Sequence, residues 1–589
     1  MANLSRRAFL ATGVAAGAGF AASTPPAIDD FFRDFTADWV RRDPNLATGT
    51  RYFTGDEQDR LERQLTPQTP EWKRDRIQRA RRGIADLRGF NRTALTDAQR
   101  ISADLMEWQL NEYIREEPYF DYTFPLEQMN GANVGLVETM TVRHPLLTER
   151  DAENYVAALG DVRARMEDAI AEAQRLEAKK TIPPKFILKA TVKQMQGFTD
   201  PSPGENPFVT VLAEKMSTIK SLPDAKREQL RAAAEKLVGE QIYPAWKKAI
   251  EVLQAQLAKA TDDAGLWRLK GGAEAYAYNL HHFTTTNLTA AQVHEIGLQQ
   301  VAHLEGEMDG LLKRLGRTQG PVKDRIDKLD LDMRYPNPAS EESRAQIMRD
   351  IDGILADAQK RAALLFDLVP KTPVVAQPFP RFREANAAAN YNSPAPDGSR
   401  PGIFQYPRRI EKMTKFGLRS TVYHETVPGH HFQIALQVED KELPRFRQIR
   451  AFGGVSALTE GWGLYAERLA GESGWYGDDI EGRLGELNSE LFRARRLVVD
   501  TGLHAMKWTR QQGIDYGIEA SEVERYAVYP GQACSYMIGE LKIVELREKA
   551  RKALGDKFSL REFHNVVLRT GMVPLDLLER QVDGYIRKS

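Results

Sequence analysis

Three histidines and a glutamate stand together at residues 424–431, where the chain reads His-Glu-Thr-Val-Pro-Gly-His-His. Imidazole nitrogens and carboxylates are zinc ligands, and a neighbouring glutamate can act as a general base. In the HExxH pattern, two histidines four residues apart share one face of a helix. Here Pro428 occupies the place of the second histidine. The segment therefore predicts a zinc site that is built on a different backbone.

Proline and glycine decide how this backbone could bring the histidines together. On a regular helix, at about 100° per residue, His430 would lie about 120° around the axis from His424. Pro428 breaks such a helix, and Gly429 gives the freedom for a bulge or wide turn. We predict that the break places His430 beside His424 as the second ligand, with Glu425 as the base. His431 is the alternative ligand, or a group that hydrogen-bonds to one.

A catalytic zinc site needs a third protein ligand and an open position for water. Two glutamates, Glu460 and Glu467, follow on a segment with apolar residues at helical spacing, and Ser456 is expected to cap that helix. The two carboxylates lie two turns apart on one side, so both could face the same interior site. Either could also be a solvated helix residue.

Several segments resemble known proteins. The Glu-Gly-aromatic string at Glu460 resembles the helix that donates the glutamate ligand in gluzincin metallopeptidases, which selects Glu460 and leaves Glu467 as a supporting group. The motif at 424–431, with Asp-Thr-Gly-Leu-His at 500–504 and Tyr-Pro-Gly-Gln-Ala at 529–533, resembles the bacterial family labelled domain of unknown function 885. The resemblance implies a helical zinc peptidase, a group that includes oligopeptidases and angiotensin-converting-type dipeptidases.

The same resemblance implies donors for the oxyanion that forms when water attacks an amide. In related helical peptidases a histidine and a tyrosine from later helices serve this purpose, and the matching residues here are His504, Tyr529 and Tyr536. The sequence does not separate their roles. Tyr529 precedes Pro530-Gly531, an entrance to a helix that suits a side chain at a cavity rim. His504 lies within a predicted helix, where buried structural histidines are common.

Helical periodicity dominates the elements that must position these residues. Predicted helices cover residues 151–180, 223–260 with a break near Pro244, 290–315 and 341–368, and helices return after Thr414. Capping boxes are predicted at Thr289 and at Ser559. The fold class is therefore mainly α, and the resemblance implies a zincin-like or oligopeptidase-like protein with a deep cleft between a helical half at 25–369 and a catalytic half at 370–589.

Residues 370–410 break the helical pattern just before the metal-binding helix. This stretch is rich in Pro, Asn and Gly and contains two candidate strands, 373–376 and 401–406. We predict a small β element here, with Gly402-Ile403-Phe404 as an edge strand to which an extended peptide could add. Tyr391 and Arg400 could contact a substrate, although a packed linker between helical halves is an equal interpretation.

The amino terminus indicates export. Ser-Arg-Arg-Ala-Phe-Leu at residues 5–10 is typical of a twin-arginine signal, and residues 1–24 are predicted to form the signal peptide. Its apolar run is too short to span a membrane. The single cysteine, Cys534, lies far from it, so the sequence predicts neither a disulfide nor an amino-terminal lipid anchor. The expected location is periplasmic or extracellular.

Charge excludes some partners. The 589 residues include 82 acidic and 82 basic side chains, and this balance argues against a nucleic acid or an anionic membrane as partner. The oligomeric state is left open. A substrate with a free carboxylate would need an arginine or lysine, for which Arg419 and Lys542 are candidates among many.

The favoured function is an exported zinc-dependent metallopeptidase of short peptides, of the oligopeptidase or carboxydipeptidase type, with Zn²⁺ activating water and Glu425 as general base. Manganese or cobalt could replace zinc at such ligands. Two alternatives remain: a zinc hydrolase of a non-peptide amide or ester, and a non-catalytic exported binding protein. The intact Glu425 beside the ligands argues against the last.

Overall fold

The computed structural model describes residues 27–379, 384, 388–396, 398 and 400–588. The predicted signal peptide, residues 1–24, lies outside them. The described chain is mainly helical with one three-stranded sheet, which confirms the predicted fold class at this level. No helix within the described ranges has the length and apolar character needed to cross a membrane.

Helices fill the chain before the sheet. They are α1 (Ile28–Arg41), α2 (Pro44–Thr50), α3 (Gly55–Glu62), α4 (Pro70–Arg88), α5 (Asp97–Glu116), α6 (Ala132–Glu138), α7 (Glu149–Ala178), α8 (Lys185–Thr199), α9 (Pro207–Ser217), α10 (Asp224–Leu237), α11 (Tyr243–Leu257), α12 (Gly272–Thr284), α13 (Ala290–Arg314), α14 (Val322–Asp332) and α15 (Glu341–Ala362).

Capping and proline signals located most of the predicted helix ends. The predicted capping box at Thr289 forms at the start of α13. At Ser559 only half of the predicted box forms, since the serine hydroxyl accepts a bond from the backbone N–H of Glu562 at 3.3 Å. The predicted helix at 223–260 is divided by a π turn at Val238–Ile242, and Pro244 stands in the first turn that follows.

The sheet contains β1 (Val374–Pro378), β2 (Asn390–Asn392) and β3 (Gly402–Tyr406), in the order β1-β3-β2. β3 pairs in parallel with β1 and antiparallel with β2. The prediction of Gly402-Ile403-Phe404 as an edge strand was therefore wrong, because both sides of β3 are already paired. The partner on its second side is the three-residue β2, which is too short to show a strand pattern in the sequence.

Helices return after the sheet and carry the candidate site. They are α16 (Leu418–Glu425), α17 (His430–Glu439), α18 (Arg445–Gln448), α19 (Ser456–Glu472), α20 (Ile480–Ala505), α21 (Arg510–Asp515), α22 (Ala520–Val528), α23 (Ser535–Leu554), α24 (Leu560–Thr570) and α25 (Leu575–Lys588).

One large hydrophobic core joins the first helices to this carboxyl-terminal part. Phe32 of α1 and Met106 of α5 belong to the same buried cluster as Trp462 of α19 and Phe563 of α24. A second core lies among α7 to α11 and includes Trp246. The helices that carry the candidate ligands are therefore supported by residues from both ends of the described chain.

Helices α19 and α23 cross with their backbones in contact. A Cβ atom at Gly461 would lie 2.4 Å from the carbonyl carbon of Gly539, so only glycine allows this approach. Near the crossing, the Ser456 hydroxyl lies 2.8 Å from the Ser535 hydroxyl. The prediction that Ser456 caps α19 was wrong, because Ser456 is the first helical residue and its side chain bonds across to α23 instead.

Candidate metal centre

The motif at residues 424–431 divides into two helices. α16 ends at Glu425 and α17 begins at His430, with a cis peptide bond between Val427 and Pro428. The Gly429 N–H donates to the Tyr423 carbonyl at 3.0 Å, and a Cβ at Gly429 would lie 2.0 Å from the His424 carbonyl oxygen. The break is thus a tight turn between separate helices, rather than a bulge within one.

This turn brings His424 and His430 together with Glu460 of α19. One ligating atom from each residue lies within 4.8 Å of the other two. Glu460 Oε2 is 3.6 Å from His424 Nε2 and 3.5 Å from His430 Nε2. Tetrahedral zinc with bonds of about 2.0–2.1 Å places its ligand atoms about 3.4 Å apart. The two distances from Glu460 are close to that spacing.

A buried carboxylate fixes the orientation of His424. Glu467 Oε1 lies 2.7 Å from His424 Nδ1, and the Ser420 hydroxyl donates to the other Glu467 oxygen. The His424 ring packs against Gly463, where a Cβ would lie 2.6 Å from the ring. The other ring nitrogen of His424, Nε2, faces Glu460. The role of Glu467 as a supporting group of a metal ligand stays a prediction.

The adjacent histidines differ in their surroundings. His430 Nδ1 is buried and has no hydrogen-bond partner among the described residues. The Nδ1 atom of His431 instead lies 2.9 Å from the Tyr391 hydroxyl oxygen, and the ring packs against Gly402 of β3. Burial lowers the pKa of His431 to about 4, so this ring is neutral. His431 is not part of the three-residue group.

Glu425 follows His424 directly and is partly buried. Its carboxylate has no ion pair or hydrogen bond within the part of the chain that the structure describes. Burial raises the pKa of Glu425, and the neighbouring His430 and His424 oppose that rise. A carboxylate with a raised pKa and no partner is suited to accept a proton from a bound water.

The ionisable groups of this cluster shift one another's pKa values. Burial alone would raise the pKa of Glu460, but His424 and His430 outweigh it and hold this pKa well below its usual value. Burial lowers the pKa of His424, yet Glu460 and Glu467 raise it to about 10. Two carboxylates therefore concentrate negative charge around the His424 ring.

The two predicted tyrosines lie near the group. The Tyr536 ring stacks on His424 with centroids 6.3 Å apart, and its hydroxyl is 3.5 Å from an Arg525 guanidinium nitrogen. Tyr529 lines a cavity together with Glu460, and its ring packs edge-on against Phe283. Burial raises the pKa of Tyr529, so its hydroxyl remains protonated at neutral pH.

His504 occupies a different environment. Its Nδ1 accepts the backbone N–H of Leu266 at 3.1 Å, and its Nε2 lies 3.0 Å from the Tyr526 carbonyl oxygen. The ring is buried against Tyr276, and burial lowers its pKa to about 4. Both ring nitrogens thus serve backbone groups. This arrangement favours a structural role, because no ring nitrogen is left for a substrate.

A cavity of about 440 Å³ opens beside Glu460. Its walls come from α5, α12, the loop before α19, the first turn of α19 and the segment after α22. Three charged residues in these walls, Glu112, Glu116 and Arg450, were not singled out by sequence. No local signal could have found them, because each is one of many charged residues at helical or loop positions.

The basic residues suggested by sequence are engaged elsewhere. Arg419 pairs with Asp479 at 3.3 Å, and Lys542 pairs with Glu545 and Glu579 at 2.8 Å. Neither lines the cavity. Arg400 donates to the Ser393 carbonyl oxygen at 2.8 Å.

Likeness to known proteins extends over nearly the whole chain. The model of the bacterial family of unknown function DUF885 matches residues 44–582. A protein of Colwellia psychrerythraea described as a candidate lipoprotein is 32% identical, and its crystal structure matches with a TM-score of 0.89 over 95% of this chain and 99% of that one. A candidate lipoprotein of unknown function from Shewanella oneidensis, 18% identical, shares the fold with a TM-score of 0.68 over 94% and 99% of the two chains. No curated protein matches.

Proposed function

Because the chain belongs to the bacterial family of unknown function DUF885, we propose its function from the chemistry of the site: an exported zinc-dependent hydrolase of peptide bonds. His424, His430 and Glu460 hold the metal, and Glu425 is the general base. The observation that carries this proposal is the convergence of two imidazoles and one carboxylate within 4.8 Å, beside a glutamate that has no partner among the described residues.

The donor set fits zinc. Two nitrogens and one carboxylate oxygen form the ligand set of many catalytic zinc sites, and a carboxylate on the second nitrogen of a ligating histidine is the usual support. When bound, zinc lowers the pKa of a coordinated water to about 7 and polarises a carbonyl group. The Glu425 carboxylate, which has no partner among the described residues, is left free to move a proton.

The protein's own residues supply the remaining steps. Glu425 accepts the proton of the attacking water and returns it to the leaving amine. Tyr529 or Tyr536 donates a hydrogen bond to the oxygen that becomes negatively charged, since both flank the metal-binding group. In this proposal the cavity beside Glu460 holds the substrate, and its volume of about 440 Å³ suits short peptides.

Export is part of the proposal. Two structurally similar bacterial proteins are described as candidate lipoproteins, a class that acts outside the cytoplasm. The twin-arginine pattern at residues 5–10, outside the described residues, agrees with that location. A protein exported in the folded state would carry its metal site already formed.

Metal analysis combined with Glu425→Gln tests the proposal. We expect purified protein to bind stoichiometric zinc and to cleave members of a peptide library, with a panel of non-peptide amides and esters as comparison. Glu425→Gln should keep its zinc and lose about 10²- to 10⁴-fold in rate. Glu472→Gln, at an exposed glutamate of α19, is the matched control and should retain activity.

The outcomes separate the alternatives. Turnover of amides or esters without any peptide cleavage would indicate a hydrolase of non-peptide substrates that uses the same residues. Full zinc occupancy without turnover of any substrate, or equal turnover by the parent and Glu425→Gln, would favour a binding protein and reject the enzymatic proposal.

A further inference from the structure

Arg450 lines the cavity beside Glu460 and has a partly buried side chain. Its guanidinium forms no hydrogen bond or ion pair with any residue that the structure describes. Arg447, three residues earlier, shows the usual alternative: it donates to the Thr570 carbonyl oxygen and to the Ser102 hydroxyl. A partly buried cation without a partner is costly, so such a group in a cavity wall points to an anionic ligand.

The backbone conformation of Arg450 is also unusual. Its φ is 55°, in the left-handed region that non-glycine residues seldom adopt. Residues held in this region often lie at ligand sites. Burial lowers the pKa of Arg450, and Tyr391 is the group that most opposes this change. Among the described residues, no carboxylate forms an ion pair with the guanidinium.

The other charges in the cavity restrict which anion can bind. Glu112 is paired with His282 at 2.8 Å and with Arg115 at 3.0 Å, whereas Glu116 has no ion pair among the described residues. Glu460 adds a third carboxylate to the walls. These acids disfavour a dianion such as a phosphate ester. They are compatible with a carboxylate carried by a molecule that also bears an ammonium group.

We propose that Arg450 binds the free α-carboxylate of a short peptide substrate. This inference rests on the proposed function and names its substrate class. A guanidinium can bind a carboxylate through two parallel hydrogen bonds, which also fixes the orientation of the peptide. Since Arg450 and Glu460 line one cavity of about 440 Å³, the bond to be cleaved lies near the carboxyl terminus.

A matched pair of peptides tests this assignment. The same short sequence is supplied with a free carboxylate and with a carboxamide, and the zinc-loaded protein is assayed on each. We expect kcat/KM to be about 10- to 100-fold higher for the free acid, which is the usual contribution of a charge-assisted hydrogen bond. Mass spectrometry should show products released from the carboxyl end.

Arg450→Gln should abolish the preference for the free-acid peptide, because it raises KM for that peptide. The kinetics of the amide peptide should change little, and the zinc content should stay the same. Arg450→Lys keeps the charge without the paired geometry and should retain part of the preference. It also preserves the test if Arg450→Gln does not fold. Arg445→Gln is the control, because Arg445 is an exposed residue of α18 that does not line the cavity.

A binding measurement distinguishes failure of this inference from failure of the proposed function. Calorimetry on the Glu425→Gln protein, with and without Arg450→Gln, compares the free-acid and amide peptides while turnover is slow. Preferential binding of the acid that disappears with Arg450→Gln supports the assignment even if no peptide is hydrolysed. Equal binding of acid and amide, or equal losses for both peptides with Arg450→Gln, would overturn it.

Discussion

Among single residues, the two adjacent histidines of the motif have opposite surroundings. His430 presents Nε2 to Glu460 and leaves Nδ1 without a partner among the described residues, whereas His431 uses Nδ1 towards Tyr391. The reason is the turn after Glu425, which starts α17 at His430 and sends the next side chain towards the sheet. Sequence spacing alone could not choose between them.

Substituting each histidine by asparagine tests that difference. Loss of a group that supports a ligand typically weakens metal binding by about 10- to 100-fold. We expect His430→Asn to weaken zinc binding by more than this, because it removes a proposed ligand. His431→Asn should change zinc affinity by less than about 10-fold. Competition with a chelator of known affinity gives both constants. The reverse order of effects would make His431 the ligand.

Among the elements, the crossing of α19 and α23 sets the position of Glu460 relative to Tyr536. Gly461 and Gly539 let the two backbones touch, and each helix carries residues that face His424. The sequence showed the apolar stripe of α19, but not the helix against which it packs. Close helix approach through small residues depends on both partners at once.

Gly539→Ala is expected to destabilise the protein. The added Cβ would lie 1.8 Å from the Ala457 carbonyl oxygen, so the helices must separate, at a cost of about 1–3 kcal/mol or more. The midpoint of urea denaturation measures the change. Gly353→Ala is the matched control within α15, where a Cβ meets no atom within 4 Å, and it should stabilise by about 0.5–1 kcal/mol. Equal midpoints for both variants would contradict the packing argument.

Across the whole molecule, segments far apart in the chain meet at the cavity. The Gln109 side chain of α5 donates to the Gly453 carbonyl at 2.7 Å and so joins the amino-terminal helices to the loop before α19. Deeper in the protein, buried Asp500 accepts hydrogen bonds from the Tyr276 hydroxyl at 2.7 Å and from the Gly531 N–H at 3.0 Å. It connects α12, α20 and the segment that carries Tyr529.

Asp500 should make the stability of the protein depend on pH. Burial raises its pKa from 3.8 to about 7, despite hydrogen bonds from Tyr276 and Gly531 that oppose the rise. Its proton is therefore held more tightly in the folded than in the unfolded chain. Its stabilising contribution is present below pH about 4 and is lost as the pH rises through about 7, by up to about 1.4 kcal/mol per pH unit.

Comparison of the parent with Asp500→Asn isolates this contribution. The free energy of unfolding, measured by denaturant at several pH values between 4 and 8, should fall more steeply with rising pH in the parent. Parallel curves for the two proteins would show that the pKa of Asp500 is the same in the folded and unfolded chains, and would contradict the expected pH dependence.

The sequence by itself determined the helical class, the family and the cluster of metal-binding residue types. Ligand chemistry, a helix break at Pro428 and apolar periodicity are local properties, so they can be predicted from neighbouring residues. The family prediction is confirmed by a match over residues 44–582. The roles of the ligands and of the base remain predictions that the proposed experiments address.

Only the tertiary structure decided which groups meet. It brought Glu460 to both histidines, placed β3 between two strands and turned His504 towards backbone groups. It also exposed Arg450 to the cavity, although nothing near it in the sequence marks it. The physical reason is that such contacts join helices and loops separated by tens to hundreds of residues. Their meeting depends on how whole faces pack, which no local pattern encodes.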